Sequence, residues 1–441
     1  MTQAGVAHIM TIDARTAIEA LRAGVPNRAA IRQMGTEQTA IEHAFEAALA
    51  AAWGDAGQVP AGIGPAGIGP AGIGPAGIGP AGIGMAGGFG TGKSHLLGYL
   101  AEVARQQGFV VSRVVVSKET PLSHPGHVLA AALRDAALPD RPDDPIAACV
   151  TTLRERPEAL DALEVAVSTP DAGFRPIFAA CLFLIRRAST PPEMLRRIER
   201  LWAGVRVSTP AIRQALAAAG AGRMFSLKSV PAGELTDQLA RFVPLLFRAA
   251  GYAGWCVLLD EIELIGRYTP LQRALSYAWL GSWLGLDGKR RSPGIVSAYA
   301  ITDDFVAAVI NARLDSEKLP ERLVLKGRAA EAVLALAGIR HIEQTVLQHR
   351  LLPPTLGDLA ACHDKVLRMY SAAYTWPAPP LPPAERTSSR TMRQYIKGWI
   401  TQWDLLRLVG GSVVLFDGSI ATNYTEDATL AEPPALDDEE A

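Results

Sequence analysis

Cysteine is scarce in this chain, and so are most signatures of a metal or hydrolase centre. The four cysteines, Cys149, Cys181, Cys256 and Cys362, lie far apart without paired spacing, which excludes a disulfide framework and a Cys-rich metal knuckle. His124, His127, His341, His349 and His363 have no ligand spacing joined to other ligands, and no Ser/His/Asp arrangement stands out. No run of about 18 charge-free apolar residues occurs. The first residues lack a basic start followed by an apolar core. The expectation is a soluble, cytoplasmic protein that does not engage a membrane. A formal net charge of −1 gives no global attraction to nucleic acid, so such contact needs a local patch.

What remains is 441 residues with 49% hydrophobic content, enough for two or three packed units. Apolar spacing over residues 15–52 predicts short helices broken at Pro26 and Asn27, with Thr36 as an N-cap. Residues 61–85 are four copies of AGIGP and a fifth ending in Met85. Glycine with a proline every fifth residue suits neither helix nor strand, so the expectation is a mobile loop from a tolerated repeat expansion. It leaves residues 83–86 as a doubtful first strand. Helical pattern over 94–107 is followed by a buried strand at 109–116, and two further apolar strands are predicted at 255–259 and 294–301. Residues 125–250 read as helices between strands of one sheet. Helices return from 320 to 408, with Trp279, Trp283, Trp399 and Trp403 at core spacing. The acidic end is expected to be disordered.

Gly87, Gly88, Phe89, Gly90, Thr91, Gly92, Lys93 and Ser94 match GxxxxGK[ST] in full, with His95 next, at the opening of a predicted helix. The glycines let backbone N–H groups curl round a phosphate, Lys93 reaches the β- and γ-oxygens, and the Ser94 hydroxyl ligates Mg²⁺. The strand at 255–259 ends in Asp260 and Glu261, acids suited to supporting Mg²⁺ and to activating water. The strand at 294–301 ends in Thr302 and Asp303, candidates for polarising that water. Arg313 and Arg322 are candidates for an arginine that reaches a neighbouring subunit's ATP. Arg390 and Arg393, three residues apart, are expected on one helical face that senses the γ-phosphate.

This order of parts resembles the AAA+ ATPases, in the branch that includes the origin recognition complex-like initiators. Closer similarity lies in GFGTGKSHLL (88–97), VVVSKETPL (114–122), LLDEIELIGRYTPLQRALSYAWL (258–280), SSRTMRQYIKGWITQWDL (388–405) and AIEALRAGVPNRAAIRQMG (17–35). These resemble the BrxD family of BREX system ATP-binding proteins over about residues 15–408. The resemblance implies an α/β P-loop NTPase three-layer sandwich with a parallel sheet, a large helical insertion and a C-terminal helical lid. The corresponding division is an N-terminal helical segment (1–60), the repeat loop (61–84), a core (85–124 and 251–318), the insertion (125–250), the lid (319–408) and an acidic tail (409–441). It further implies ATP and Mg²⁺ as cofactors, antiphage defence, a DNA helicase partner, action on or near DNA, and an ATP-dependent homo-oligomer. Too few residues follow Leu408 for a winged helix, so Arg196, Arg197, Arg200, Arg206 and Arg213 of the insertion stand as the phosphate-contacting alternative. The competing readings are a non-hydrolysing nucleotide-gated adaptor or clamp, and an ATPase that senses infection.

Overall fold

The computed structural model describes residues 3–25, 27–54, 82–141, 144–286, 294–382, 390–410, 424–425 and 427. The chain opens with α1 (Gln3–Ala23), α2 (Arg28–Met34) and α3 (Thr39–Gly54), then β1 (Gly82–Ala86), α4 (Lys93–Gln106) and β2 (Phe109–Val115). Seven helices follow: α5 (Pro125–Asp135), α6 (Pro145–Glu155), α7 (Pro157–Ser168), α8 (Pro176–Arg186), α9 (Pro192–Trp202), α10 (Thr209–Ala218) and α11 (Ala232–Ala249). Proline in the first turn fixes the start of each of α5 to α10, where its missing N–H costs no hydrogen bond. The chain then runs through β3 (Gly254–Asp260), α12 (Pro270–Trp283), β4 (Ile295–Ile301), α13 (Asp315–Leu325), α14 (Ala329–Gln348), α15 (Leu356–Tyr374) and α16 (Met392–Leu408).

The four strands form a parallel sheet in the order β1-β4-β3-β2. Helices cover both faces, which explains why β3 and β4 are fully buried and apolar apart from Asp260 and Ser297. The period-2 alternation sorts their side chains. Cys256, Leu258, Val296, Ala298 and Ala300 face α3 and α4 with Phe45, Leu49, Leu97 and Leu100. Trp255, Val257, Leu259, Tyr299 and Ile301 face α12, α14 and the helices between β2 and β3. An α/β architecture with a small parallel sheet and many helices is therefore as expected.

The doubt over the first strand is removed. β1 is a complete five-residue strand in register with β4, Gly82 opposite Ser297 and Ala86 opposite Ile301. The expected loop thus ends before residue 82, and residues 55–81 lie outside the described part. Two features make the last repeat unit a strand. Met85 stands where the other units have proline, restoring a backbone donor. The Gly-Ile-Gly-Met order also places Ile83 and Met85 on the α4 face and glycine on the other. At Gly84 a Cβ would lie 2.3 Å from Tyr299 Cζ and 2.4 Å from Thr345 Oγ1, so α14 and β4 occupy the space that glycine leaves. The free edge of β1 is partly closed by residues 349–351: the Ala86 N–H donates to the His349 carbonyl at 3.0 Å and the Leu351 N–H to the Ala86 carbonyl at 2.7 Å.

A third core joins the two ends of the described chain. Ala14, Ala17 and Ile18 of α1 pack with Val366, Met369 and Tyr370 of α15 and with Trp399, Ile400 and Trp403 of α16. Arg22 donates to both oxygens of Asp404, at 2.9 and 3.0 Å, and to the Tyr374 hydroxyl at 3.0 Å. A second strap binds this unit to the sheet: Glu102 of α4 accepts from Arg28 at 2.7 Å and Arg32 at 2.9 Å, both on α2. Burial pushes the Glu102 carboxyl up, but the Arg32 and Arg28 hydrogen bonds outweigh it and hold the group below its ordinary value.

Candidate functional site

Between β1 and α4 the chain turns through Gly87–Ser94 in a conformation only glycine adopts without strain: Gly90 and Gly92 have φ of 77° and 104°. The loop hangs from the sheet by the Gly87 N–H, which donates to Ile301 at 3.1 Å. It delivers Lys93 and Ser94 to the first turn of α4, where unpaired N–H groups and the helix dipole favour an anion. Lys93 is 8% exposed, and its ammonium bends back to donate to the Gly87 and Gly88 carbonyls at 2.8 and 3.1 Å. An anion entering the loop therefore replaces carbonyl partners of the lysine with charged ones.

β3 lies two places from β1 in the sheet and ends at the loop. Asp260, 3% exposed, accepts from the Glu261 N–H at 3.0 Å and from Arg113 of β2 at 2.7 Å. Glu261 sits in the left-handed region at φ 59°, an uncommon place for a residue with a Cβ, and is exposed toward the site. Its carboxyl is raised above the ordinary value by partial burial and then by the charge of Asp260. Glu263 is more enclosed. Its Oε1 lies 3.9 Å from Lys93 Nζ, while its buried Oε2 has no hydrogen-bond partner among the described residues. Burial raises this carboxyl too, against the opposing pull of Lys93.

These groups line one cavity of about 320 Å³. Phe89 to Leu96, Asp260, Glu261 and Glu263 form its polar end. The other end is built from Leu21, Met34, the 35–38 turn before α3, Leu352, Cys362 and Ile396. Sequence reasoning missed these residues because they come from five separate segments and form no spaced pattern. It missed Arg113 for the same reason. Glu263 was discoverable as the third acid of DEIE, the continuation of the pair it named.

The other candidates divide. Arg393 lines the cavity, its guanidinium 6.0 Å from the centre of the Phe89 ring. Arg390 does not share a helical face with it. α16 begins at Met392 with Thr391 as N-cap, closed by a Thr391/Gln394 capping box, so Arg390 precedes the helix and lies over the Tyr395 ring at 5.8 Å. Thr391 itself approaches the loop, its Oγ1 only 3.1 Å from where a Cβ on Gly90 would stand. His95 is not a free ligand: its Nε2 is 2.9 Å from the Gly35 carbonyl, and burial depresses its basicity. Asp303 pairs with Arg350 at 2.5 Å and places Oδ1 3.9 Å from a Cβ built on Gly88. Arg322 is exposed on α13 and is not among the residues that line the cavity. Arg313 donates to the Tyr424 carbonyl at 2.6 Å, so it is engaged within its own chain. In the insertion, Arg196 pairs with Glu193 and Arg213 donates to the Leu227 carbonyl. The acidic tail is not wholly detached either, because Tyr424 and Asp427 dock on the core.

Oxygen donors at Ser94, Asp260, Glu261 and Glu263 around one cavity suit a hard divalent cation. The described residues hold no group of three or more His, Cys, Asp or Glu disposed to bind a metal alone.

Fold and site are those of an α/β protein whose loop amides, lysine and helix N-terminus suit an anionic ligand. The family model described as BREX system ATP-binding protein BrxC/D matches residues 83–144, which span β1, the loop, α4, β2 and α5. The match supports the BrxD-type resemblance read from the motifs, and ATP is the ligand that the family description names. No curated protein and no solved structure matches the chain. No described helix is long and apolar enough to cross a membrane.

Proposed function

We propose that this chain is a Mg²⁺-dependent AAA+ ATPase of a BREX antiphage system, acting on or beside DNA with a helicase partner. The observation that carries the reading is the convergence of Lys93, Asp260, Glu261 and Arg393 on one cavity, which Leu21, Met34 and Ile396 also line. In this reading the loop amides and Lys93 hold the β- and γ-phosphates, and Ser94 and Asp260 hold Mg²⁺, which neutralises phosphate charge when bound. Glu261 orients and deprotonates water. Its carboxyl is raised by partial burial and by the charge of Asp260, the direction that strengthens it as a base. Arg393 meets the γ-phosphate from α16, so hydrolysis changes what the lid holds. Asp303 polarises the water from the end of β4. Arg322, exposed on α13, is the candidate for contact with a neighbouring copy in an ATP-dependent oligomer.

The division of labour follows the sequence: a core over 85–124 and 251–318, an insertion over 125–250 and a lid over 319–408. The packing of α1 and α2 on α15 and α16 supports counting these two helices with the lid, while α3 packs on the sheet.

Phosphate release and bound nucleotide, measured on the same samples with and without DNA, test the proposal. Lys93→Ala should lose ATP binding, and Glu261→Gln should retain ATP while turnover falls about a hundredfold or more, the usual contribution of a positioned base. Wild-type turnover by Glu261→Gln sinks the assignment of the base. Stable ATP with negligible release by the wild-type protein favours the adaptor.

A further inference from the structure

Tyr424 is a tail residue that neither the loop nor the acids require, yet it is fastened to the end of β4. Its hydroxyl meets the Thr302 hydroxyl and donates to Asp304 Oδ1 at 2.9 Å. Its ring stands edge-on to Phe305 at 5.9 Å and lies over Gly266, where a Cβ would come within 2.6 Å of Tyr424 Cδ1. The carbonyl takes the Arg313 hydrogen bond, and three residues on, Asp427 pairs with Arg267 at 2.6 Å while its N–H donates to the Arg267 carbonyl at 3.0 Å.

Thr302 and Asp304 are the two neighbours of Asp303. A phenol has one proton. With that proton on Asp304, the Thr302 hydroxyl must donate its own to the phenol oxygen, so a single atom clasps the turn on both sides of Asp303. The clasped residue is the one whose carboxylate faces Gly88 of the loop.

We propose that Tyr424 is a positioning residue: it fixes the Thr302 to Asp304 turn so that Asp303 is held toward the phosphate loop. This rests on the hydrolytic reading above. Tyr424→Phe keeps the ring packing against Phe305 and Gly266 and removes only the clasp.

The test is steady-state phosphate release by the full chain with Mg²⁺-ATP, for wild type, Tyr424→Phe, Asp303→Ala and the double variant, beside binding of a fluorescent ATP analogue. The expected result is a kcat about tenfold lower for Tyr424→Phe, the scale of one lost hydrogen bond, with KM within about twofold. The double variant should be no slower than Asp303→Ala alone, since the tyrosine acts through the aspartate. Asp304→Ala, at an exposed position, breaks the same clasp and should reproduce the pattern should Tyr424→Phe fold poorly. An unchanged kcat for both clasp variants, or losses that multiply in the double variant, overturns the inference while leaving the ATPase intact. A wild-type protein that binds ATP without releasing phosphate overturns the hydrolytic reading, and this inference with it.

Discussion

At the scale of single residues, the site is defined by charges held close together, of which Lys93 and Asp260 are buried. Glu263 shows the cost. Its folded-state pKa is raised, so the folded protein holds that proton more tightly than the unfolded chain. The ionised form is therefore penalised above the raised pKa, and the penalty disappears once the pH falls to the unfolded carboxylate value, about 4.3. Glu263→Gln removes the charge at every pH. The nucleotide-free variant should thus melt higher than wild type at pH 8, with the difference closing toward pH 5. Melting curves at the two pH values check this, and an offset independent of pH would show that Glu263 is comfortably paired. Lys93, Ser94, Asp260 and Glu261 were legible in the sequence because their chemistry is set by neighbours along the chain. Arg113 and Tyr424 were not, since each reaches its partner across more than a hundred residues.

At the scale of elements, β1 carries the clearest lesson. Read by composition, the repeat that contains it belongs in a loop. Read in place, it is the strand that leads into the glycine-rich loop, because Tyr299 and Thr345 fill the face that Gly84 leaves bare. Gly84→Ala should overlap both and cost about 1 to 3 kcal/mol, the range for an overpacked core. The urea midpoint measures it, and an unchanged midpoint would mean that α14 does not press on β1. The start of α16 shows the converse. Arg390 and Arg393 were expected on one helical face, but the helix is capped at Thr391 and starts after Arg390. That shift of a few residues decides which arginine enters the helix. Boundaries move easily because several nearby Ser and Thr residues can each serve as a cap.

At the scale of the whole molecule, the cavity lies where α1, α2, α15 and α16 meet the sheet, so a ligand there touches two packing units at once. ATP at about a hundred times its Kd should stabilise the protein by about 2.7 kcal/mol. Arg393→Ala removes a contact made from the lid side. If that weakens ATP about tenfold, the stabilisation at the same concentration falls by about 1.4 kcal/mol. Thermal melting with and without Mg²⁺-ATP reads the difference. Equal shifts for the two proteins would place the γ-phosphate out of reach of Arg393.

The sequence alone determined the glycine-rich loop, the acids at the end of β3, the buried parallel strands and the helical stretch between β2 and β3. Each is a local pattern, whether a fixed spacing, an apolar run or a proline at a helix start. Tertiary structure alone decided that the last repeat unit is a strand, that Arg393 rather than Arg390 enters the cavity, and that α1 and α2 pack on α15 and α16. It also placed Glu263 beside Lys93 and Tyr424 beside Asp303. These depend on what packs against what, and a side chain's partner across the core leaves no spacing to read along the chain.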